Sequence, residues 1–81
     1  MDAQQSPAAV AQQSPAIDAQ ARRAAYAAEL RAWMARERIT QAELCDRLGV
    51  AMRTVGRWRA GDTAPDERLA RSIRSMGGPH A

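Results

Sequence analysis

Residues 39–61 read Ile39-Thr40-Gln41-Ala42-Glu43-Leu44-Cys45-Asp46-Arg47-Leu48-Gly49-Val50-Ala51-Met52-Arg53-Thr54-Val55-Gly56-Arg57-Trp58-Arg59-Ala60-Gly61, and their punctuation decides the local structure. Thr40-Gln41-Ala42-Glu43 is a Thr-x-x-Glu capping box, in which each end satisfies an orphan backbone donor of the other, so a helix starts here. Gly49, directly after Leu48, supplies the left-handed residue that ends it, which limits the element to about 41–48. Leu44, Cys45 and Leu48 form its apolar face. After Val50 a second short helix runs over about 52–60, with Val55 and Trp58 pointing inward at i, i+3 spacing and Gly61 closing it. Two short helices across a tight turn result.

Toward the amino end, Tyr26, Leu30, Trp33 and Met34 fall on one helical stripe that faces the core. Ser14-Pro15 reads as an N-cap followed by proline at the first helical position, so a long leading helix is expected over about 15–37. Asp18 and Arg22 stand four apart near its start and are spaced to pair. Before it, Ala3-Gln4-Gln5-Ser6-Pro7-Ala8 returns as Ala11-Gln12-Gln13-Ser14-Pro15-Ala16, and this polar repeat carries too little apolar surface for a core. Residues 1–14 are expected to be a flexible arm. Toward the carboxyl end, Asp62-Thr63-Ala64-Pro65 is a loop and Asp66 caps a helix over about 67–76, with Leu69, Ala70, Ile73 and Met76 at helical spacing. Gly77-Gly78-Pro79 stops it, leaving 77–81 as an expected flexible tail. No stretch alternates like a strand, so the class is all-α, a small domain at 15–76.

Eighty-one residues allow one small domain with a thin core. Cys45 is alone and forms no internal disulfide, and neither it nor His80 has companions with metal-ligand spacing, so no metal or cofactor is expected. The start of the chain lacks the basic and apolar regions of a secretory signal, and no apolar run is long enough for a bilayer, which points to a cytoplasmic protein. No Ser-His-Asp or Cys-His set and no Gly-rich phosphate loop is present, so catalysis is not expected. Residues 22–81 hold all twelve arginines against seven acids, a surplus of five. Arginine without lysine suits bidentate contacts to phosphate and guanine, and a genome rich in GC biases codons the same way. A pI near 10.4 favours nucleic acid over other acidic surfaces.

The stretch at 39–61 also has the spacing of a helix-turn-helix. That motif needs a small residue midway in its first helix so that the second crosses closely, then a turn glycine, then apolar anchors. Cys45, Gly49, Val50, Val55 and Trp58 fill those places. Thr40-Gln41-x-x-Leu44, Leu48-Gly49-Val50, Arg53-Thr54-Val55-x-x-Trp58 and Gly61 together resemble the Cro and phage-repressor-like helix-turn-helix family, over roughly residues 32–76. The resemblance implies a four-helix domain, or five where a further helix makes the dimer. It makes Met52–Ala60 the helix that enters the DNA major groove. By that likeness Met52, Arg53, Gly56 and Arg57 face the bases and Gln41 meets a phosphate. Helical geometry agrees, since positions 52, 53, 56 and 57 share one face while 55 and 58 share another. Arg53 and Arg57 each suit guanine O6 and N7, Met52 suits a thymine methyl, and Gly56 allows close approach. Thr40, Gln41, Ala51 and Arg59 are the expected phosphate contacts, with Arg36 and Arg47 adding charge. Ala51 stands where a capping hydroxyl is usual, and Arg38 at a turn position that is often glycine.

These features predict a sequence-specific transcriptional regulator of bacterial or phage origin. Repression is the expected output, through a homodimer on an inverted repeat of double-stranded DNA. Two other readings use the same residues. One is a protein-interaction adaptor or antitoxin-like module working through the arm or the leading helix, and the other is the DNA-targeting module of a DNA-processing complex.

Overall fold

Alanine has the best intrinsic helix propensity, and the alanine-rich leader forms a single helix, α1, over Asp2–Glu37. A computed structural model describes residues 2–80, with side chains from Ile17 to His80. α1 therefore extends further back than the start expected at Pro15. Ser14 and Pro15, the expected helix start, lie within this span. The side chains of the expected arm at 1–14 lie outside the described residues. Asp18 and Arg22, spaced to pair, form no ion pair within 4.0 Å.

The first buried side chain among those described is Tyr26, and from there α1 contributes Tyr26, Leu30, Trp33 and Met34 to the core. α1 turns out of its helix through Arg38 at φ 57, while Ile39 N–H donates back to Met34 O at 2.8 Å. α2 (Gln41–Leu48) and α3 (Met52–Ala60) follow, each ended by a left-handed glycine, Gly49 at φ 69 and Gly61 at φ 84. Asp66 then caps α4 (Glu67–Ser75), its carboxylate accepting from Leu69 N–H at 2.9 Å. No strand occurs among the described residues.

One cluster unites all four helices: α1 meets Leu44 and Cys45 of α2, Val55 and Trp58 of α3, and Leu69 and Ile73 of α4. Ile39, Leu48, Val50 and Met76 pack at its margin. Leu30, Leu44, Val55 and Ile73 have no solvent exposure, and each such side chain contributes about 1.5–3 kcal/mol of transfer free energy. The core thus fixes α3 against α1 from below.

The end of the chain departs from the expected flexible tail. Gly77 N–H donates to Arg74 O and Gly78 N–H to Ile73 O, both at 2.9 Å, and Gly78 and Pro79 are buried. A side chain on Gly78 would collide with Ile73 and lie 3.3 Å from the Trp33 ring, so this glycine lets the tail close over the indole. Apolar cover for Trp33 outweighs the turn-forming tendency of Gly-Gly-Pro. No helix among the described residues is long and apolar enough to cross a membrane.

Candidate nucleic-acid interface

The candidate interface comprises the two helix starts and the outer side of α3. Thr40 adopts extended backbone at φ −82, ψ 161, and the capping box is complete: Glu43 N–H donates to Thr40 Oγ1 at 3.0 Å and Thr40 N–H to Glu43 Oε1 at 2.8 Å. The backbone hydrogen bond from Thr40, helped by its hydroxyl and by Arg47, holds the Glu43 carboxyl below its ordinary range. At the other end of α2, Gly49 N–H and Val50 N–H both donate to Cys45 O, at 2.8 and 3.1 Å. This tight exit sets the start of α3 close behind α2.

α3 opens at Ala51, extended at φ −76, ψ 154, with no side-chain cap. A capped helix start normally spends one of its orphan donors on the capping oxygen; here Thr54 N–H donates to Ala51 O at 3.0 Å instead, and no capping side chain engages the first amides of α3. The remainder of α3 separates into two faces. Val55 and Trp58 are 0% and 2% exposed, whereas Met52 is 51% exposed and Arg53 and Arg57 stand in solvent. Neither Arg53 nor Arg57 is in an ion pair with a described residue. Two cations one turn apart thus project from the side opposite the anchors. Cys45 is buried with its Sγ 3.6 Å from Met52 Sδ, occupying the place where α2 and α3 cross.

Gln41 and Arg59, both expected on phosphate, are bonded to each other. Arg59 Nη1 donates to Gln41 Oε1 at 2.7 Å, and Gln41 Nε2 donates to Met52 O at 2.9 Å. Arg31 of α1 in turn donates from Nη1 to Arg59 O. The carboxamide therefore ties the start of α2 to the start of α3, the Arg59 guanidinium ties it to the end of α3, and the Arg31 guanidinium ties α1 to the α3 backbone. Gly56 lies beneath this link: a Cβ there would stand 3.3 Å from Gln41 Nε2. Its bareness makes room for the glutamine. Of the two further arginines expected to add charge, Arg36 lies 3.8 Å from Glu37 and Arg47 Nη1 lies 3.8 Å from Met76 Sδ.

Arg31 was not singled out in the sequence, because its partner stands 28 residues away and no local spacing connects them. One signal was available. A glycine inside a helix costs about 1 kcal/mol against alanine, so Gly56 marks a place where something must come close.

A family profile described as helix-turn-helix matches residues 30–75, more than half of the chain, and so covers the end of α1 and all of α2, α3 and the anchors of α4. No curated protein and no solved structure matches the chain. Matched length, completed capping box, glycine-ended helices and a basic outer face on α3 converge on one conclusion: the chain belongs to the helix-turn-helix family of the Cro and phage-repressor type, whose members are DNA-binding regulators.

Proposed function

We propose that this protein is a sequence-specific repressor that reads the major groove with α3. The observation that carries this reading is the division of α3 into a clamped face, Val55 and Trp58, and an exposed face bearing Met52, Arg53 and Arg57. Arg53 and Arg57 each offer the two parallel donors that match guanine O6 and N7, and Met52 offers an apolar tip for a thymine methyl. Gly56 keeps the Gln41 link between them low enough for the groove. The starts of α2 and α3, at Thr40, Gln41 and Ala51, present positive dipole ends suited to phosphates that fix register without reading sequence. Arg59 acts from its bond to Gln41, bracing α3 at its angle to α2.

Helix-turn-helix dimers place their reading helices about 34–36 Å apart, one turn of duplex, and the proposed repressor binds an inverted repeat in this way and occludes a promoter. It works where the DNA is, in a prokaryotic cell. Selection of bound sequences from a random duplex pool tests the reading: a palindromic consensus with guanine at fixed positions supports it, and recovery of unrelated sequences, or no retention of duplex at moderate salt, overturns it.

A further inference from the structure

α1 buries one apolar face and leaves a second in solvent. Tyr26, Leu30, Trp33 and Met34 enter the core, whereas Ala21, Ala25, Ala28, Ala32 and Ala35, on the opposite side of the helix, are all exposed. An outer helix face is normally polar or charged, and no polar side chain interrupts this line from Ala21 to Ala35. Helix propensity accounts for alanine anywhere on α1, but not for every charge of that stretch lying off the line. Ile17, one of two large apolar side chains exposed among the described residues, extends the same side at 51% exposure.

Spacing and charge identify what covers this face. The five alanines are separated by four, three, four and three positions, the repeat with which two helices pack along a seam, and small side chains there let the backbones come close. Arg22 and Glu29 flank the seam on one side, seven residues apart, both exposed and in no ion pair with a described residue. In an antiparallel pair that sets Ala25 on the partner's Ala28, each Arg22 falls beside the partner's Glu29, and two-fold symmetry makes that contact twice. Sliding by seven residues brings Arg22 onto the partner's Arg22 in one direction and Glu29 onto the partner's Glu29 in the other. A parallel pair sets Arg31 beside the partner's Arg36 and unites no opposite charges. Charge thus selects both direction and register. We infer that the outer face of α1 pairs two copies of this chain, antiparallel, with Ala25 against Ala28 and Arg22 against Glu29. Val55 and Trp58 hold α3 on the core side of α1, so the pairing leaves the reading face uncovered. A homodimer belongs to the proposed function, and this surface gives it a geometry; pairing is weighed without DNA, so a failed interface and a failed base reading are told apart.

Sedimentation equilibrium of the full chain follows the mass between 8.8 kDa and twice that value. A reversible equilibrium between monomer and dimer is expected. Arg22→Glu and Glu29→Arg each replace two attractive contacts of the dimer by two repulsive ones and weaken association by about tenfold, and the two changes combined restore it. Ala28→Glu at the centre of the seam abolishes the dimer, while circular dichroism of the exposed helix face is unchanged. Charge reversals that fail to rescue one another, or a dimer indifferent to Ala28→Glu, overturn the inference. So does a chain that is monomeric at every concentration, which leaves the face to a different protein, or one that passes beyond the dimer to larger species.

Discussion

Arg59→Met separates a brace from a phosphate contact. The substitution keeps most of the aliphatic stem, removes the guanidinium that donates to Gln41 at 2.7 Å, and also removes the buried, unpartnered Arg59 Nε. Losing this charge-assisted hydrogen bond costs about 1.5–3 kcal/mol and losing the unsatisfied donor returns about 1–3 kcal/mol, so the melting temperature changes by only a few degrees. The informative quantity is the salt dependence of binding to a random-sequence duplex. Each phosphate contact contributes a slope of about −0.9 in log K against log salt, so a lost contact alters the affinity ratio between 50 and 200 mM salt by about 3.5-fold. As a brace, Arg59 leaves that slope unchanged, and Arg59→Met lowers affinity for a selected operator because Gln41 no longer fixes the start of α3. Fluorescence anisotropy at four salt concentrations measures both. A slope reduced by about 0.9, with operator and random duplex weakened alike, refutes the bracing role and returns Arg59 to the phosphates.

Further outcomes follow from single residues. Arg38 holds φ 57, a left-handed conformation that costs a side-chain-bearing residue about 1 kcal/mol, so Arg38→Gly is expected to match or raise stability in a urea titration, and a loss above about 1 kcal/mol contradicts the strain. Tyr26 is raised from 10.0 to about 12 in the folded state, first by burial and further by Glu29, against an opposing effect of Arg74. The stability tied to its proton is therefore complete below pH 10 and lost as pH climbs toward 12, and Tyr26→Phe should lessen alkaline unfolding followed by circular dichroism. Glu43 is lowered from 4.5, chiefly by the Thr40 amide, so its contribution is present above that value and lost as pH falls through the folded-state value. Glu43→Gln should flatten the acid limb of the melting curve, and an unchanged limb argues that the capping box is not held in solution.

Much of this architecture was legible because its signals are local. The Thr40–Glu43 box, the left-handed Gly49 and Gly61, and the Asp66 cap each act within one helical turn, and the core stripe of α1 follows from spacing alone. Two clamped positions, Val55 and Trp58, also fixed which side of α3 faces outward. What escaped depends on tertiary contact. Gly77-Gly78-Pro79 has the composition of a loose end, and only its closure over Trp33, more than forty positions earlier, buries it. The Gln41–Arg59 bond spans 18 residues and engages two side chains whose types suit phosphate equally well.

The central claim is that the exposed guanidinium groups of α3 read bases. Its most direct measurement is the affinity of Arg53→Ala and Arg57→Ala for a selected operator and for random duplex under one salt condition. Each bidentate guanine contact discriminates by about 1–3 kcal/mol, so each variant should lose roughly 5- to 150-fold on the operator and far less on random sequence. Equal losses on both duplexes would contradict base reading and leave these arginines as general attraction for the phosphate backbone.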